Sequence, residues 1–181
     1  MSKKNKIYWS LGVTEKGTRS LLTDENSKFK WLRSQSNRRV LVLLNLLGLV
    51  LVSLGSYYLN LEIDFNVSTE IEILIFSVIS IFVIFLTLGS MTFLRIAVRG
   101  IADAPDELLD ERQIQIRNTS FRYAYLSMGY LVLALLFLMF FGPDLQLFEP
   151  EGNDGSYLMI ATLFAFASAP SMILAWREKD I

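Results

Sequence analysis

Between Ile73 and Leu94 the chain reads ILIFSVISIFVIFLTLGSMTFL, a run of 22 residues without a charge. An α-helix needs ~20 apolar residues to cross the ~30 Å hydrocarbon layer of a bilayer. Glu70 and Glu72 precede the run, and Arg95 and Arg99 follow it. Because basic residues collect on the cytoplasmic side of membrane proteins, this run predicts a transmembrane helix with an outer beginning and a cytoplasmic end.

Three further uncharged apolar runs flank this one, and the predicted spans are about 40–60, 73–94, 123–141 and 157–176. Ten of the 17 Lys and Arg precede the first span, five lie between the second and third, and two follow the fourth. The two remaining connections carry acids and no base. The pattern predicts an all-α membrane protein: a four-transmembrane-helix bundle, multi-pass in the cell membrane, with N and C termini cytoplasmic.

Composition agrees with this class and narrows the chemistry. Hydrophobic residues make up 52% of the chain, and the mean hydropathy is +0.41. Cys and His are both absent, which excludes disulfides, thiol redox chemistry, most zinc sites and the usual haem ligands. We therefore expect no metal and no cofactor. The chain also lacks the short motifs of membrane enzymes that act on lipids, so we expect no enzymatic activity.

Residues 1–39 form a basic cytoplasmic tail with ten bases and three acids, ahead of a membrane domain at 40–181. Near the first span, bases alternate with aromatic residues, a composition typical of a segment on an anionic lipid surface. The candidate lipid-surface residues are Lys28, Lys30, Trp31, Arg33, Arg38 and Arg39. The simpler interpretation, which we favour, is an ordinary positive flank with Trp31 at headgroup level. The expected partner is the anionic cytoplasmic leaflet and not a nucleic acid.

The connection at 95–122 predicts a cytoplasmic helix that extends the third span. Asp103 suits the N-cap and Pro105 the first turn, and no glycine or further proline interrupts the chain before Gly129. One semi-apolar face recurs at helical spacing, and its members are Leu109, Arg112, Gln113, Ile116 and Ser120. This face either docks another protein or packs on the membrane surface or the tail, and both interpretations stay open.

Charges in this connection also predict an ion-pair cluster. Arg95 and Arg99 lie one turn apart at the end of the second span, and Asp110 and Glu111 lie close to them in the predicted topology. We expect these four residues to pair and to fix the direction in which the long helix leaves the bilayer.

The same connection carries a resemblance. Pro105-Asp106-Glu107, then Leu109-Asp110-Glu111-Arg112-Gln113, then Arg117-Asn118 and Phe121-Arg122-Tyr123-Ala124-Tyr125 lead into a span. This pattern resembles a stretch of small uncharacterised multi-span membrane proteins of actinobacteria. The resemblance implies a bacterial cytoplasmic membrane and no particular activity.

Small and polar residues inside the spans predict helix packing. They form stripes at helical spacing on three spans: Asn45, Gly48 and Gly55; Ser77, Ser80 and Thr87; and Ala161, Ala165 and Ala169. We interpret them as seams between helices, with self-association as the alternative. Pro170 predicts a kink in the fourth span, and a static kink is the interpretation we prefer over gating.

Two functions remain from these observations. The first is a non-enzymatic accessory or scaffold subunit of a membrane complex, which uses the tail and the helical connection to bind another membrane protein or a second copy. The alternative is a small channel or carrier for polar or lipidic solutes, which uses Asn45 and the stripe of Ser77, Ser80 and Thr87.

Overall fold

The computed structural model describes residues 7–8, 13–14, 19, 22, 27–55, 69–142 and 154–178. Both outer connections and most of the basic tail lie outside these residues. The described part is almost entirely helical, with one two-residue strand pair in which β1 (Ile7–Tyr8) runs antiparallel to β2 (Val13–Thr14). A 3-10 helix at Ser27–Arg33 then leads into the first long helix.

Four long α-helices account for most of the structure: α1 (Gln35–Ser53), α2 (Thr69–Ala97), α3 (Glu111–Phe141) and α4 (Asp154–Arg177). All four are long and apolar enough to cross a membrane, which confirms the predicted helical class and the four candidate spans. The helices α2, α3 and α4 are longer than the uncharged runs because polar residues at their ends also take helical conformation, and α1 likewise begins before its run, at Gln35. At the start of α1, the hydroxyl of Ser34 accepts a hydrogen bond from the backbone N–H of Asn37 and caps the helix. The helix α4 runs on through Pro170.

The connection from α2 to α3 differs from its prediction. It leaves α2 through Arg99 and Gly100, whose φ angles of 55° and 68° place both in the left-handed region and turn the chain. Pro105 is extended, and a short 3-10 helix at Asp106–Leu108 follows. The predicted cap at Asp103 is wrong, because α3 begins only after this turn.

The actual N-cap of α3 is Asp110. Its carboxylate accepts a hydrogen bond of 2.7 Å from the backbone N–H of Gln113, and the Gln113 side chain accepts one of 3.2 Å from the backbone N–H of Asp110. This reciprocal pair is a capping box, which satisfies two N–H groups that a helix start otherwise leaves open. From Glu111 onward α3 is continuous to Phe141, so the third span does carry a helical extension, although a shorter one than expected.

Helix packing follows an uneven pattern. The helices α1, α2 and α4 contact one another, and α3 joins this group mainly through α4. The large hydrophobic cluster lies where the N-terminus of α1 meets the C-termini of α2 and α4, and it contains Leu32, Leu41, Leu94, Val98, Ile101 and Leu174. Leu22 and Phe29 of the tail pack against it. We call this end of the molecule the basic end, because described bases of all three segments, namely Arg38, Arg95 and Arg177, adjoin it.

Candidate functional site

A polar seam joins α1 to α2. Asn45 is only 1% exposed, and its side-chain N–H group donates to the backbone carbonyl of Thr87 at 3.3 Å and to the hydroxyl of Ser90 at 3.0 Å. The Thr87 hydroxyl donates to the carbonyl of Val83, one turn back on its own helix. An amide in hydrocarbon is costly unless it is hydrogen-bonded, so Asn45 holds the two helices at one relative position.

Two glycines of α1 permit close helix contacts. A Cβ atom added at Gly48 would lie 2.6 Å from Oγ1 of Thr87 and 3.2 Å from its Cα. A Cβ atom at Gly55 would lie 2.7 Å from Cδ1 of Tyr157 on α4. At Gly48 the close neighbours include the backbone of Thr87, so glycine lets α1 and α2 approach closely, whereas at Gly55 it makes room for the ring of Tyr157.

The predicted stripe on α2 does not act as one seam. Thr87 is buried against α1, but Ser77 and Ser80 are exposed, so their assignment to helix packing is corrected. Ser77 donates to the carbonyl of Ile73 on its own helix, and such a satisfied hydroxyl does not need a neighbouring helix. Ser80 lines a cavity of 270 Å³ between α1, α2 and α4.

The alanine row of α4 contacts different helices along its length. Ala161 packs with Val52 of α1 and Val83 of α2. Ala169 packs with Ala124 and Met128 of α3, and Ala165 lies against the same group.

The bases near α1 divide into buried and exposed members. Arg38, predicted at the lipid surface, is fully buried, and its Nη2 donates to the backbone carbonyl of Glu178 at 2.8 Å. The C-terminal carbonyls of a helix attract cations, which explains why Arg38 turns inward to the end of α4. Arg33 is half-buried, and burial, together with the nearby charge of Arg99, lowers its pKa.

Other members of the lipid-surface set lie on the exterior. Trp31 is 63% exposed, and Lys30 and Arg39 are exposed as well. The guanidinium carbon of Arg39 lies 5.2 Å from the ring centroid of Trp176 on α4. The side chain of Lys28 lies outside the described residues.

The predicted ion-pair cluster forms with different partners. Arg95 pairs with Asp103, with 3.3 Å between Nε and Oδ2, and not with Asp110 or Glu111. Asp110 is occupied as the cap of α3, and Glu111 points to the exterior. Burial raises the pKa of Asp103, and the charge of Arg95 opposes this rise.

Arg117 holds the connection from the other side. One guanidinium nitrogen bonds the carboxylate of Asp106, and another donates to the backbone carbonyl of Ala104 at 2.6 Å. Sequence reasoning missed this role, although an arginine less than two turns into α3 with an acid upstream was a visible signal.

The candidate docking face of α3 is largely used within the chain. Leu109 and Ile116 pack against the hydrophobic cluster at the basic end. Ser120 is buried and donates to the carbonyl of Ile116, and Gln113 completes the capping box. Only Arg112 of the five is exposed, so the docking assignment is corrected. The other interpretation is packing on the membrane surface or the tail, and Phe29 of the tail lies against the same cluster.

Two surfaces of α3 were not anticipated. On one side, α3, α4 and α1 enclose an apolar groove made of a 440 Å³ cavity and a 470 Å³ cavity, which share Ser127, Met172 and Ile173. On the opposite side lies an exposed ridge, the α3 outer face, formed by Leu126, Tyr130, Leu133, Phe137 and Phe140. Tyr130, the third tyrosine of the third apolar run and the one farthest from its start, was the sequence signal for this ridge.

Within the described residues, no group of three or more acids lies together in a way that could hold a metal ion. No protein-family model matches the chain, and no curated protein or solved structure matches it either.

Proposed function

We propose that this chain is a multi-pass protein of a bacterial cytoplasmic membrane that acts without catalysis, as an accessory subunit binding a partner membrane protein through the α3 outer face. In this proposal both termini are cytoplasmic. The distribution of the 17 bases supports that orientation. So does the Arg38 contact with Glu178, because it brings the start of α1 and the end of α4 to one end of the molecule.

The observation that carries the proposal is the position of Tyr130. Its side chain is 73% exposed, and its hydroxyl has no hydrogen-bond partner among the described residues. Tyr123, which contacts Arg177 at the basic end, lies seven residues earlier, about 10 Å along the helix. Tyr130 therefore exposes a phenol well inside the hydrocarbon layer, where an unpaired polar group is costly. A partner that accepts this hydrogen bond removes the cost.

The surface beside Tyr130 fits a neighbouring helix. Nothing lies within 4 Å of the position that a Cβ atom would take at Gly129. A glycine on an open face lets the backbone of a second helix come close, as in many membrane helix pairs. Phe137 and Phe140, 54% and 73% exposed, continue the same surface toward the outer end.

The channel or carrier alternative receives less support from the geometry. Its pathway required Asn45 and the stripe of α2, yet Asn45 bonds directly to α2, and Gly48 touches Thr87. These contacts close the seam between α1 and α2 at that level.

The test is to purify the tagged protein from native membranes in mild detergent and to identify its companions by mass spectrometry. Tyr130→Phe removes one hydroxyl and should weaken retention of the companion about three- to tenfold, the effect of one hydrogen bond. Tyr125→Phe is the matched control, because that exposed hydroxyl lies near the membrane surface, where water can bind it. Equal retention in all three proteins would refute the role of Tyr130.

A photoreactive amino acid at Leu133 locates the contact directly. Leu133 lies on the α3 outer face and is 63% exposed, and Val78 on α2, 59% exposed, serves as the control position. We expect a cross-link to the companion from position 133 and none from position 78. A cross-link to a second copy of the tagged chain would establish self-association instead.

A further inference from the structure

The groove between α1, α3 and α4 combines an apolar interior with a positively charged mouth. Its deep part is lined by apolar side chains, among them Leu49 of α1, Leu131 and Leu135 of α3, and Ala165 of α4. Its mouth, at the basic end, is lined by Tyr123, Trp176 and Arg177. The groove therefore changes from hydrocarbon-like to cationic along its length.

Arg177 lines the mouth, Arg39 lies against the lining residue Trp176, and each guanidinium is over an aromatic ring. The guanidinium carbon of Arg177 lies 4.3 Å from the ring centroid of Tyr123, and that of Arg39 lies 5.2 Å from the ring centroid of Trp176. A guanidinium over an aromatic ring is attracted by the ring face and makes no hydrogen bond to it that would use up its N–H groups. These N–H groups match the oxygen pairs of a phosphate.

Both arginines are accessible to an anion from outside. Among the described residues, Arg39 and Arg177 form no ion pair with a carboxylate, and both side chains are exposed. The mouth therefore carries two positive charges that an anion of the surroundings can balance. A bare apolar groove would accept any lipid chain, whereas this pair of charges selects an anionic one.

The dimensions of the groove fit one leaflet. From Tyr123 to Leu135 the groove follows α3 for twelve residues, about 18 Å. Half of the hydrocarbon layer measures roughly 15 Å. A chain that starts at the arginines would therefore end near the middle of the membrane.

We infer that this groove binds one anionic glycerophospholipid, with an acyl chain between α1 and α3 and the phosphodiester between Arg39 and Arg177. The leaflet is the one that adjoins the basic end, whichever side of the membrane that end faces. The site is separate from the α3 outer face, so the inference does not depend on the proposed partner.

The experiment is native mass spectrometry of the full-length protein, released from detergent and titrated with phosphatidylglycerol or phosphatidylcholine of identical acyl chains. We expect one phosphatidylglycerol to bind more tightly than phosphatidylcholine. In Arg39→Gln/Arg177→Gln, the affinity for phosphatidylglycerol should fall roughly thirtyfold, toward that for phosphatidylcholine, since each arginine near an anionic lipid contributes about one factor of five.

The matched control is Arg112→Gln/Arg122→Gln, which removes the same total charge from exposed positions of α3 away from the groove. It should leave the preference for phosphatidylglycerol intact. An equal loss in this control would mean attraction by net charge alone and would overturn the inference.

Two further outcomes, both measured on the wild-type protein, would also overturn the lipid-binding inference. One is a wild-type protein that does not distinguish the two lipids. The other is displacement of phosphatidylglycerol by an equal concentration of soluble glycerol 3-phosphate, because that result would assign the site to a free phosphate and leave the groove unused. Retention of the lipid in its presence supports the assignment to a membrane lipid.

Discussion

Buried polar residues have two distinct roles in this protein. Asn45 lies in the middle of α1 and bonds to α2. Arg38 lies two turns earlier and bonds to the end of α4. Both face the interior together with Leu41, Gly48 and Val52, so the buried side of α1 is a single stripe that begins with a charge.

Glycine 48 gives a direct test of the seam. Gly48→Ala places a methyl group against Thr87 and should lower the free energy of unfolding by about 1–3 kcal/mol, the usual effect of overpacking. Gly89→Ala on α2 is the matched control, because its Cβ position is open and alanine favours helices. Thermal unfolding in detergent measures both. Equal destabilisation by the two changes would contradict the close contact.

The raised pKa of Asp103 should make the free energy of unfolding depend on pH. Burial raises its pKa in the folded protein above the ordinary value of about 3.9, with Arg95 opposing the rise. Because the folded state holds this proton more tightly, its stabilising contribution is complete below the unfolded pKa and is lost as the pH rises through the folded pKa. As the pH rises through that range, the wild type should lose stability and Asp103→Asn should not, so the variant becomes the more stable of the two.

The measurement is unfolding of both proteins from pH 4 upward, with Glu111→Gln as an exposed control. Parallel curves for wild type and Asp103→Asn would show that Asp103 does not titrate differently in the fold.

Sequence reasoning could identify some of these residues and not others. Asn45, Gly48 and Thr87 stand out as polar or small within apolar runs, and all three lie at a helix contact. Arg38 looked like Arg39, since both belong to a basic flank. Only their helical phase separates them: Arg38 shares a face with Leu41 and Asn45, and Arg39 does not.

At the level of elements, the start of α3 shows how two candidate caps compete. Asp103 and Asp110 are both followed by a residue that could face back toward the cap, Asp106 and Gln113 respectively. Asp110 is the cap because the side-chain oxygen of Gln113 accepts from its backbone N–H, whereas the carboxylate of Asp106 is engaged by Arg117. The left-handed turn at Arg99 and Gly100 was not readable from local propensity.

Asp110→Ala tests this cap. It should lower the free energy of unfolding by about 1 kcal/mol and speed hydrogen exchange of the first amides of α3. Glu111→Ala, which leaves the capping box in place, should cost roughly half as much through the helix dipole alone. The same increase in exchange for both variants would favour the ion-pair role that was first predicted for these acids.

At the scale of the whole molecule, the four candidate spans were predictable because uncharged apolar runs of about 20 residues occur in proteins mainly as transmembrane helices. The arrangement of the four helices was not predictable, because a row of alanine, glycine or serine indicates a close helix contact but does not identify the neighbouring helix. Ala161 and Ala169 belong to one row on α4, yet they contact different neighbours.

The proposed orientation can be measured directly because the chain has no cysteine. Glu107 lies just before α3, near the basic end, and Gly155 lies at the start of α4, near the other end of the molecule. Both positions are exposed, so Glu107→Cys and Gly155→Cys each place a single accessible thiol at one of the two ends. In intact cells, a membrane-impermeant maleimide should label position 155 and not position 107. The reverse labelling would place the basic end outside and would refute the proposed topology.

The contact between the first and the last long helix also has a consequence for biogenesis. The carbonyl that receives the Arg38 guanidinium belongs to Glu178, 140 residues later in the chain. During synthesis α1 leaves the ribosome long before this acceptor exists, so Arg38 must stay hydrated at the membrane surface until α4 has been inserted. The contact can therefore close only after α4 has been synthesised and inserted.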